Sequence, residues 1–253
     1  MTGPETVSAA RQSGQAILRD AGLPADTVAV DTDYLLCHVL QRTRTWLMTW
    51  PEAPLSEDQQ SEFKDLLQRR AGGEPVAHIT GTCGFWTLQL TVDASTLIPR
   101  PDTETLVEAT LELLGERRQH PLYLADLGTG TGAIALALAS ECPDWRVIGI
   151  DAVPEAVQLA KRNAERNGLQ RVPFLLGDWA EPLADHSLDV LVSNPPYIRA
   201  DDPHLEQGDV RFEPRSALVA GADGLTDLRL IIQQGVRVLR AGGWLLLEHG
   251  HDQ

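Results

Sequence analysis

The segment Asn194-Pro195-Pro196-Tyr197 joins an amide, two prolines and an aromatic ring at the end of the apolar run Leu188–Ser193. Asn194 offers a side-chain carbonyl oxygen, and Pro195 has no N–H to compete with its own backbone carbonyl. These two acceptors can hold both hydrogens of a planar –NH2 group, while Tyr197 lays a flat apolar face against it. The pattern favours alkylation of a conjugated nitrogen, either a carboxamide or a nucleobase amine. The alternative is a strand that simply ends in a proline turn.

A glycine-rich loop upstream is expected to bind the second reactant. Gly128-Thr129-Gly130-Thr131-Gly132 lies between the apolar strand Leu122–Leu127 and a helix of small residues that begins at Ala133. Such a loop lets the backbone approach a ligand closely, with a helix N-terminus behind it. About 20 residues further on, the strand Arg146–Ile150 ends at Asp151, an acid placed to hold two ribose hydroxyls. We therefore expect a cofactor that contains adenosine.

The identity of this cofactor depends on residues around the loop, because its glycine spacing also satisfies the loose dinucleotide pattern. Asp126, two residues before the first glycine, would repel a pyrophosphate but favour a sulfonium or an ammonium group. The Asn-Pro-Pro-Tyr segment has no role in hydride transfer. S-adenosylmethionine therefore fits better than a nicotinamide dinucleotide, and a glycine turn without a ligand is the remaining alternative.

The charge of the chain argues against a protein that binds nucleic acid. It carries 36 acidic and 21 basic residues, for a formal net charge of −15. Proteins that grip duplex DNA neutralise phosphates with a basic face, whereas this overall field repels nucleic acid and attracts a basic partner. A protein amide is thus favoured over a nucleobase as the methyl acceptor.

The 253 residues, 43% of them apolar, suffice for one large or two modest domains. No run approaches the ~18 apolar residues of a membrane span, and the N-terminus lacks a signal-peptide pattern. We expect a cytoplasmic monomer that contacts no membrane. Cys37, Cys83 and Cys142 are expected to be reduced, and no histidine or cysteine spacing predicts a metal site.

Three regions are expected along the chain. Residues 1–81 show helical spacing and form either a packed cap or a domain that recognises the substrate. Within them, Ser56 and Gln59 have the spacing of a capping box at the start of a helix. Residues 82–100 form a β-hairpin linker, and residues 101–253 form the domain that carries both motifs.

The linker is expected to be a hairpin because apolar and polar residues alternate from Phe85 to Val92. In this interpretation Phe85–Val92 is the first strand, Asp93–Ser95 the turn and Thr96–Ile98 the second strand. The charged residues Arg100, Asp102 and Glu104 follow, just before a predicted helix over 105–114. They either line a cleft or cap that helix.

Strands and helices alternate through the remainder of the chain, which predicts a parallel sheet covered by helices. Ligands of such sheets lie beyond the carboxyl ends of the strands. The glycine loop, Asp151, Asp178-Trp179 and Asn194–Tyr197 all follow predicted strands, and Trp179 is placed to pack on an adenine ring. The predicted elements are Leu122–Leu127, Ala133–Ser140, Val147–Ile150, Pro154–Asn167, Val172–Leu176, Leu188–Ser193, Leu225–Leu239 and Trp244–Glu248.

With these residues in place, the chain closely resembles the peptide chain release factor N5-glutamine methyltransferases, the HemK/PrmC family. The likeness covers essentially the whole chain, and its combination of motifs is specific. Asn-Pro-Pro-Tyr alone is shared with adenine-N6 DNA methyltransferases. The matching segments are residues 73–81 (GEPVAHITG), 97–104 (LIPRPDTE), 128–132, 194–197 and 211–214 (RFEP).

The resemblance implies a class I, Rossmann-like methyltransferase sheet joined to a helical N-terminal domain. By its motifs, Gly128–Gly132, Asp151, Trp179 and Asn194 bind S-adenosylmethionine. Asn194, Pro195 and Tyr197 are implied to be catalytic and, with Pro196, to hold the glutamine of a Gly-Gly-Gln loop in a class-one release factor. Methylation of a ribosomal protein glutamine and adenine-N6 methylation of a nucleic acid are the alternatives.

The chain departs from the family pattern at its C-terminus. It stops at Gln253, five residues after Glu248, whereas sheets of this type usually close with two further strands. We therefore expect the C-terminal strands to be missing and the sheet edge beyond the fifth strand to be uncovered.

Overall fold

A computed structural model describes residues 5–253, and the chain divides after Gly81 into two compact units. No helix within the described part of the chain is both long and apolar enough to cross a bilayer. The second unit contains both motifs and is described after the first.

The first unit is built from helices around an apolar core. The capping box is confirmed: Gln59 N–H donates to Ser56 Oγ at 3.2 Å, and Ser56 N–H donates to Gln59 Oε1 at 2.9 Å. Side chains from the first, second and fourth helices, such as Leu18, Leu35 and Leu67, are fully or almost fully buried in the core. The helices are α1 Val7–Asp20, α2 Ala25–Leu40, α3 Arg44–Thr49, α4 Glu57–Ala71 and α5 Val76–Thr80.

The second unit begins with a β-hairpin that differs from the expected one. Its strands are β1 (Thr82–Phe85) and β2 (Leu88–Thr91), which pair antiparallel with Phe85 opposite Leu88. The single strand predicted over Phe85–Val92 is therefore wrong, as is a strand over Thr96–Ile98. The physical reason is that Trp86 adopts a left-handed conformation (φ 56°) and starts a two-residue turn. Phe85 and Leu88 lie opposite each other on the same face, so a turn of this length shifts the alternation by one residue. Trp86 is apolar and lies in the turn, so the even-numbered apolar positions continue through it and hide the shift.

The rest of the second unit is a parallel five-stranded sheet covered by helices, as predicted. The strand order is β5-β4-β3-β6-β7, so the chain reverses direction across the sheet between β3 and β6. Ligands bind at such a switch point, beyond the carboxyl ends of the strands. The elements are α6 Glu104–Leu113, β3 Tyr123–Leu127, α7 Ala133–Glu141, β4 Arg146–Asp151, α8 Pro154–Arg166, β5 Phe174–Leu176, β6 Leu188–Ser193, α9 Thr226–Val238 and β7 Leu239–Leu247.

The central strands are buried on both faces, which explains their continuous apolar sequences. Leu124 and Leu127 on β3, and Val190 and Leu191 on β6, are all fully buried. Strand β7 begins at Leu239, five residues before its predicted start at Trp244. The prediction missed this start because α9 passes directly into the strand, whose first residues include two glycines and an arginine. These residues lack the alternation by which strands are recognised.

Candidate active site

A cavity of about 270 Å³ opens at the carboxyl ends of β3, β4 and β6. Most of the predicted site residues line it together, namely Gly128, Thr129, Gly130, Thr131, Asp151, Trp179, Asn194 and Pro196. Gly132, Pro195 and Tyr197 are not in its wall. The ends of separate strands therefore meet at one edge of the sheet, as predicted, and most of the predicted site residues line the cavity there.

Asp151 is fixed by the backbone of the glycine loop and of its own turn. Its Oδ2 accepts the Gly130 N–H at 2.8 Å, and its Oδ1 accepts the Val153 N–H at 2.9 Å. Burial raises the pKa of this carboxyl, and these backbone hydrogen bonds oppose the shift. A carboxylate has about four acceptor positions. The Ala152 N–H stabilises this carboxylate as well, and the remaining acceptor capacity lies at the cavity wall, where it can accept a ribose hydroxyl.

Trp179 lies against the first glycine of the loop. A Cβ at position 128 would come within 3.2 Å of Trp179 Cζ3, and Gly128 has a positive φ of 65°. Only glycine satisfies both conditions without strain. Trp179 itself adopts a left-handed conformation (φ 47°), and its half-exposed ring forms a flat wall of the cavity. Such a surface suits an adenine ring.

Gly132 does not line the cavity; its role is to let the loop pack closely against the elements behind it. It precedes α7 with a φ of 83°, and a Cβ here would lie 3.1–3.2 Å from the side chains of Phe174, Ala160 and Leu136. Asn163, which is fully buried, secures the same loop by donating from Nδ2 to the Thr131 carbonyl at 2.9 Å. The last glycine thus packs the loop onto α8 and β5.

The expected electrostatic role of Asp126 is wrong. Its side chain is fully buried and does not reach the cavity wall. Oδ2 accepts the Thr129 hydroxyl at 2.6 Å and the Ala135 N–H at 3.2 Å, so Asp126 braces the glycine loop from beneath. Burial raises its pKa to about 7, which further reduces its charge.

The charge of the cavity wall still favours a cation. Asp151, Asp178 and Asp227 line it together with one base, Arg100. This negative excess suits the sulfonium and ammonium groups of S-adenosylmethionine better than a pyrophosphate. With the flat ring of Trp179 and the spare acceptors of Asp151, the residues of the cavity fit that cofactor.

Asn194 is half-buried at the cavity wall, and its amide has a fixed partner. Its Nδ2 donates to Thr103 Oγ1 at 3.1 Å. Because the amide is planar, the Oδ1 atom points away from Thr103 and remains an acceptor. Pro196 lines the cavity beside it, whereas the Tyr197 hydroxyl donates to Glu248 Oε1 at 3.4 Å.

The charged residues at the start of α6 and just before it have separate roles. Arg100 lines the cavity, and its Nη2 contacts both carboxylate oxygens of Glu213 at 2.7 and 2.9 Å. Burial raises the pKa of Glu213 to about 7, although the charge of Arg100 opposes the shift. Glu104 instead accepts the Trp86 N–H at 2.7 Å and so stabilises the hairpin turn.

Four residues around the site have no assigned role in the sequence patterns: Thr96, Thr103, Asn163 and Glu248. Thr96 lines the cavity with a buried hydroxyl that has no hydrogen-bond partner among the described residues. Thr103 lies within the motif over 97–104, and Glu248 is a lone acid at the end of an apolar run. The acid that follows an apolar strand was the available signal for Glu248, because Asp151 ends β4 in a similar way.

Two family models match the chain. Residues 9–81 match the PrmC N-terminal domain, and residues 123–252 match a methyltransferase domain. The two matches fall on either side of the division after Gly81.

Curated relatives match over most of the chain, and each of those described here is named release factor glutamine methyltransferase. The relative from Aliivibrio fischeri is 52% identical over 90% of this chain and 80% of its own length. The one from Vibrio cholerae is 50% identical over 98% and 85%, and the one from Escherichia coli is 51% identical over 88% and 79%. At this identity and coverage, the chain belongs to the family of release factor glutamine methyltransferases.

Proposed function

We propose that this protein transfers a methyl group from S-adenosylmethionine to the side-chain amide nitrogen of a glutamine in a peptide chain release factor. One observation carries the proposal. The amide oxygen of Asn194 remains an acceptor at the wall of a cavity whose other residues suit an adenosine and a cation. The names and identity of the relatives support the choice of substrate.

The reaction needs help because amide resonance makes the glutamine nitrogen a poor nucleophile. When bound, S-adenosylmethionine supplies an electrophilic methyl group on its sulfonium. In our proposal Asn194 Oδ1 and the Pro195 carbonyl accept the two N–H groups of the glutamine. This fixes the nitrogen and favours the positive charge that builds on it. Tyr197 holds the planar group from one side, and the proton is released after transfer, so no strong base is required.

The acceptor is proposed to be the glutamine of a Gly-Gly-Gln loop in a class-one release factor. The net charge of −15 suits a basic partner and opposes nucleic acid, which argues against adenine-N6 methylation. A ribosomal protein glutamine is the second candidate, because its amide has the same chemistry. We further propose that the enzyme acts as a monomer in the cytoplasm and that the helical unit contacts the protein substrate.

Methyl transfer from isotopically labelled S-adenosylmethionine tests the proposal. The protein is incubated in parallel with a recombinant release factor, with ribosomal proteins and with DNA, and the acceptor is identified by mass spectrometry. We expect label on the glutamine of the Gly-Gly-Gln loop alone. Label on adenine, or none on the release factor, would contradict the proposed function.

An Asn194→Ala variant tests the role of the amide. We expect its turnover to fall about 100-fold or more, because one preorganised acceptor is lost at the reacting nitrogen. Binding of S-adenosylmethionine, measured by calorimetry, should survive, because the glycine loop, Asp151 and Trp179 remain in place. Normal turnover in this variant would refute the assigned role.

A further inference from the structure

Four side chains around the Asn-Pro-Pro-Tyr segment form a polar cluster that we term the amide relay, with hydrogen bonds from Asn194 to Thr103 and from Tyr197 to Glu248. Its members are Asn194, Thr103, Glu248 and Tyr197. They come from three places in the fold: the end of β6, the 3₁₀ turn Pro101–Thr103 before α6, and the end of β7. Thr103 is buried, and the other three are half-buried.

The backbone brings Glu248 to the motif. Its N–H donates to the carbonyl of Ser193, the residue before Asn194, at 3.0 Å. Its Oε1 accepts the Tyr197 hydroxyl at 3.4 Å, whereas its buried Oε2 has no partner of strict hydrogen-bond geometry among the described residues. Hydrogen bonding from the Thr103 and Asn194 side chains nevertheless lowers the pKa of this carboxyl, in opposition to burial.

The chemistry of each member sets the direction of the relay. An ionised carboxylate can only accept hydrogen bonds, and a threonine hydroxyl has a single proton to donate. If Thr103 donates that proton to Glu248, its oxygen must serve Asn194 as an acceptor, which agrees with the 3.1 Å contact from Asn194 Nδ2. With Nδ2 directed at Thr103, the planar amide must point its oxygen away from Thr103.

We propose that Glu248 is a positioning residue that fixes the orientation of the Asn194 amide through Thr103. The carboxylate determines which way the hydroxyl points, and the hydroxyl determines which end of the amide faces the substrate. The catalytic meaning of this orientation rests on the proposed function, but the orientation itself does not. A glutamine at position 248 would both donate and accept, so the direction of the relay would no longer be set.

The electrostatic setting makes the relay sensitive to pH. Burial raises the pKa of Glu248, hydrogen bonds from Thr103, Tyr197 and Asn194 oppose the shift, and the charge of Asp102 adds to it. Burial and Glu248 raise the pKa of Tyr197, whereas Arg100 lowers it. As pH falls through the raised pKa of Glu248, the carboxyl gains a proton and ceases to be a pure acceptor. Turnover should therefore decline on the acidic side.

Nuclear magnetic resonance reports directly on the side-chain amide of Asn194. The assignment is simple because the chain contains only three asparagines: Asn163, Asn167 and Asn194. Selective ¹⁵N labelling of asparagine side chains gives three pairs of amide signals. We expect the Asn194 pair to shift as pH falls through the titration of Glu248, and the other two pairs to stay constant. In Glu248→Gln the Asn194 pair should differ from wild type and lose this pH dependence.

Turnover provides the second measurement. We expect kcat to fall about 100-fold in Glu248→Gln, with little change in the affinity for S-adenosylmethionine. The decline of kcat at acidic pH should also be weaker in this variant than in wild type. Thr103→Val, which removes the hydroxyl at nearly constant volume, should have the same effect, and Thr103→Ser should restore activity. Glu108→Gln removes a charge from an exposed position on α6 and serves as the matched control.

The two readouts separate failure of this inference from failure of the proposed function. The spectra are recorded without any acceptor substrate, so they remain informative if the release factor is not methylated. Unchanged Asn194 signals in both Glu248→Gln and Thr103→Val would overturn the inference. If Glu248→Gln does not fold, the spectra of Thr103→Val and Thr103→Ser alone decide it.

Discussion

Replacing Asp126 by asparagine should stabilise the protein above neutral pH. The carboxyl is fully buried, and its Oδ1 has no hydrogen-bond partner among the described residues. Burial raises its pKa from 3.8 to about 7, which corresponds to about 4 kcal/mol of destabilisation once the group is ionised. An asparagine keeps an oxygen for Thr129 and Ala135 but leaves amide protons unpaired, at about 1–3 kcal/mol. The expected net gain at pH 8 is about 1–3 kcal/mol.

The sign of the pH dependence follows from the raised pKa. Between about pH 4 and 7 the folded protein holds a proton on Asp126 that the unfolded chain has lost. Stability from this group therefore falls as pH rises through that window and levels off above it. Between pH 5.5 and 8 the advantage of Asp126→Asn over wild type should grow by about 2 kcal/mol.

Urea unfolding followed by circular dichroism at several pH values between 5.5 and 8 measures this difference. Asp144→Asn removes the same charge from an exposed position and should leave the pH dependence of wild type unchanged. If the stability difference between Asp126→Asn and wild type is constant with pH, Asp126 does not carry the burial penalty assigned to it.

Two further variants test the cofactor cavity. Asp151→Ala should weaken the binding of S-adenosylmethionine about 10- to 100-fold, because a hydrogen bond to a charged acceptor, of about 1.5–3 kcal/mol, is lost. An unchanged Kd in calorimetry would contradict this. Gly128→Ala should lower the free energy of unfolding by about 1–2 kcal/mol and weaken cofactor binding, because the new methyl group meets Trp179 at 3.2 Å from a left-handed backbone. Gly115→Ala, where nothing lies within 4 Å, is its control, and equal effects of the two changes would refute the assigned contact.

Local patterns succeeded where neighbouring residues determine the structure. The Ser56 capping box forms as predicted, because its two hydrogen bonds join residues three apart in one helix. The parallel sheet is confirmed too, since alternation of apolar strands with helices allows few other folds. The hairpin prediction failed for an equally local reason: the left-handed Trp86 starts a turn that shifts the alternation by one residue, and its own apolar side chain hides that shift.

The sequence alone determined the alternation of strands and helices in the parallel sheet, the chemical types at the strand ends, and hence the kind of reaction they suit. The tertiary structure decided which of these groups meet. Thr103 and Asn194 are 91 residues apart, and Tyr197 and Glu248 are 51 apart. They come together because β6 and β7 are neighbours in the sheet and the turn before α6 packs beside their carboxyl ends. Tertiary packing also decided which groups are buried. The sequence places Asp126 beside the glycine loop, but only packing keeps its carboxyl out of the cavity and away from water.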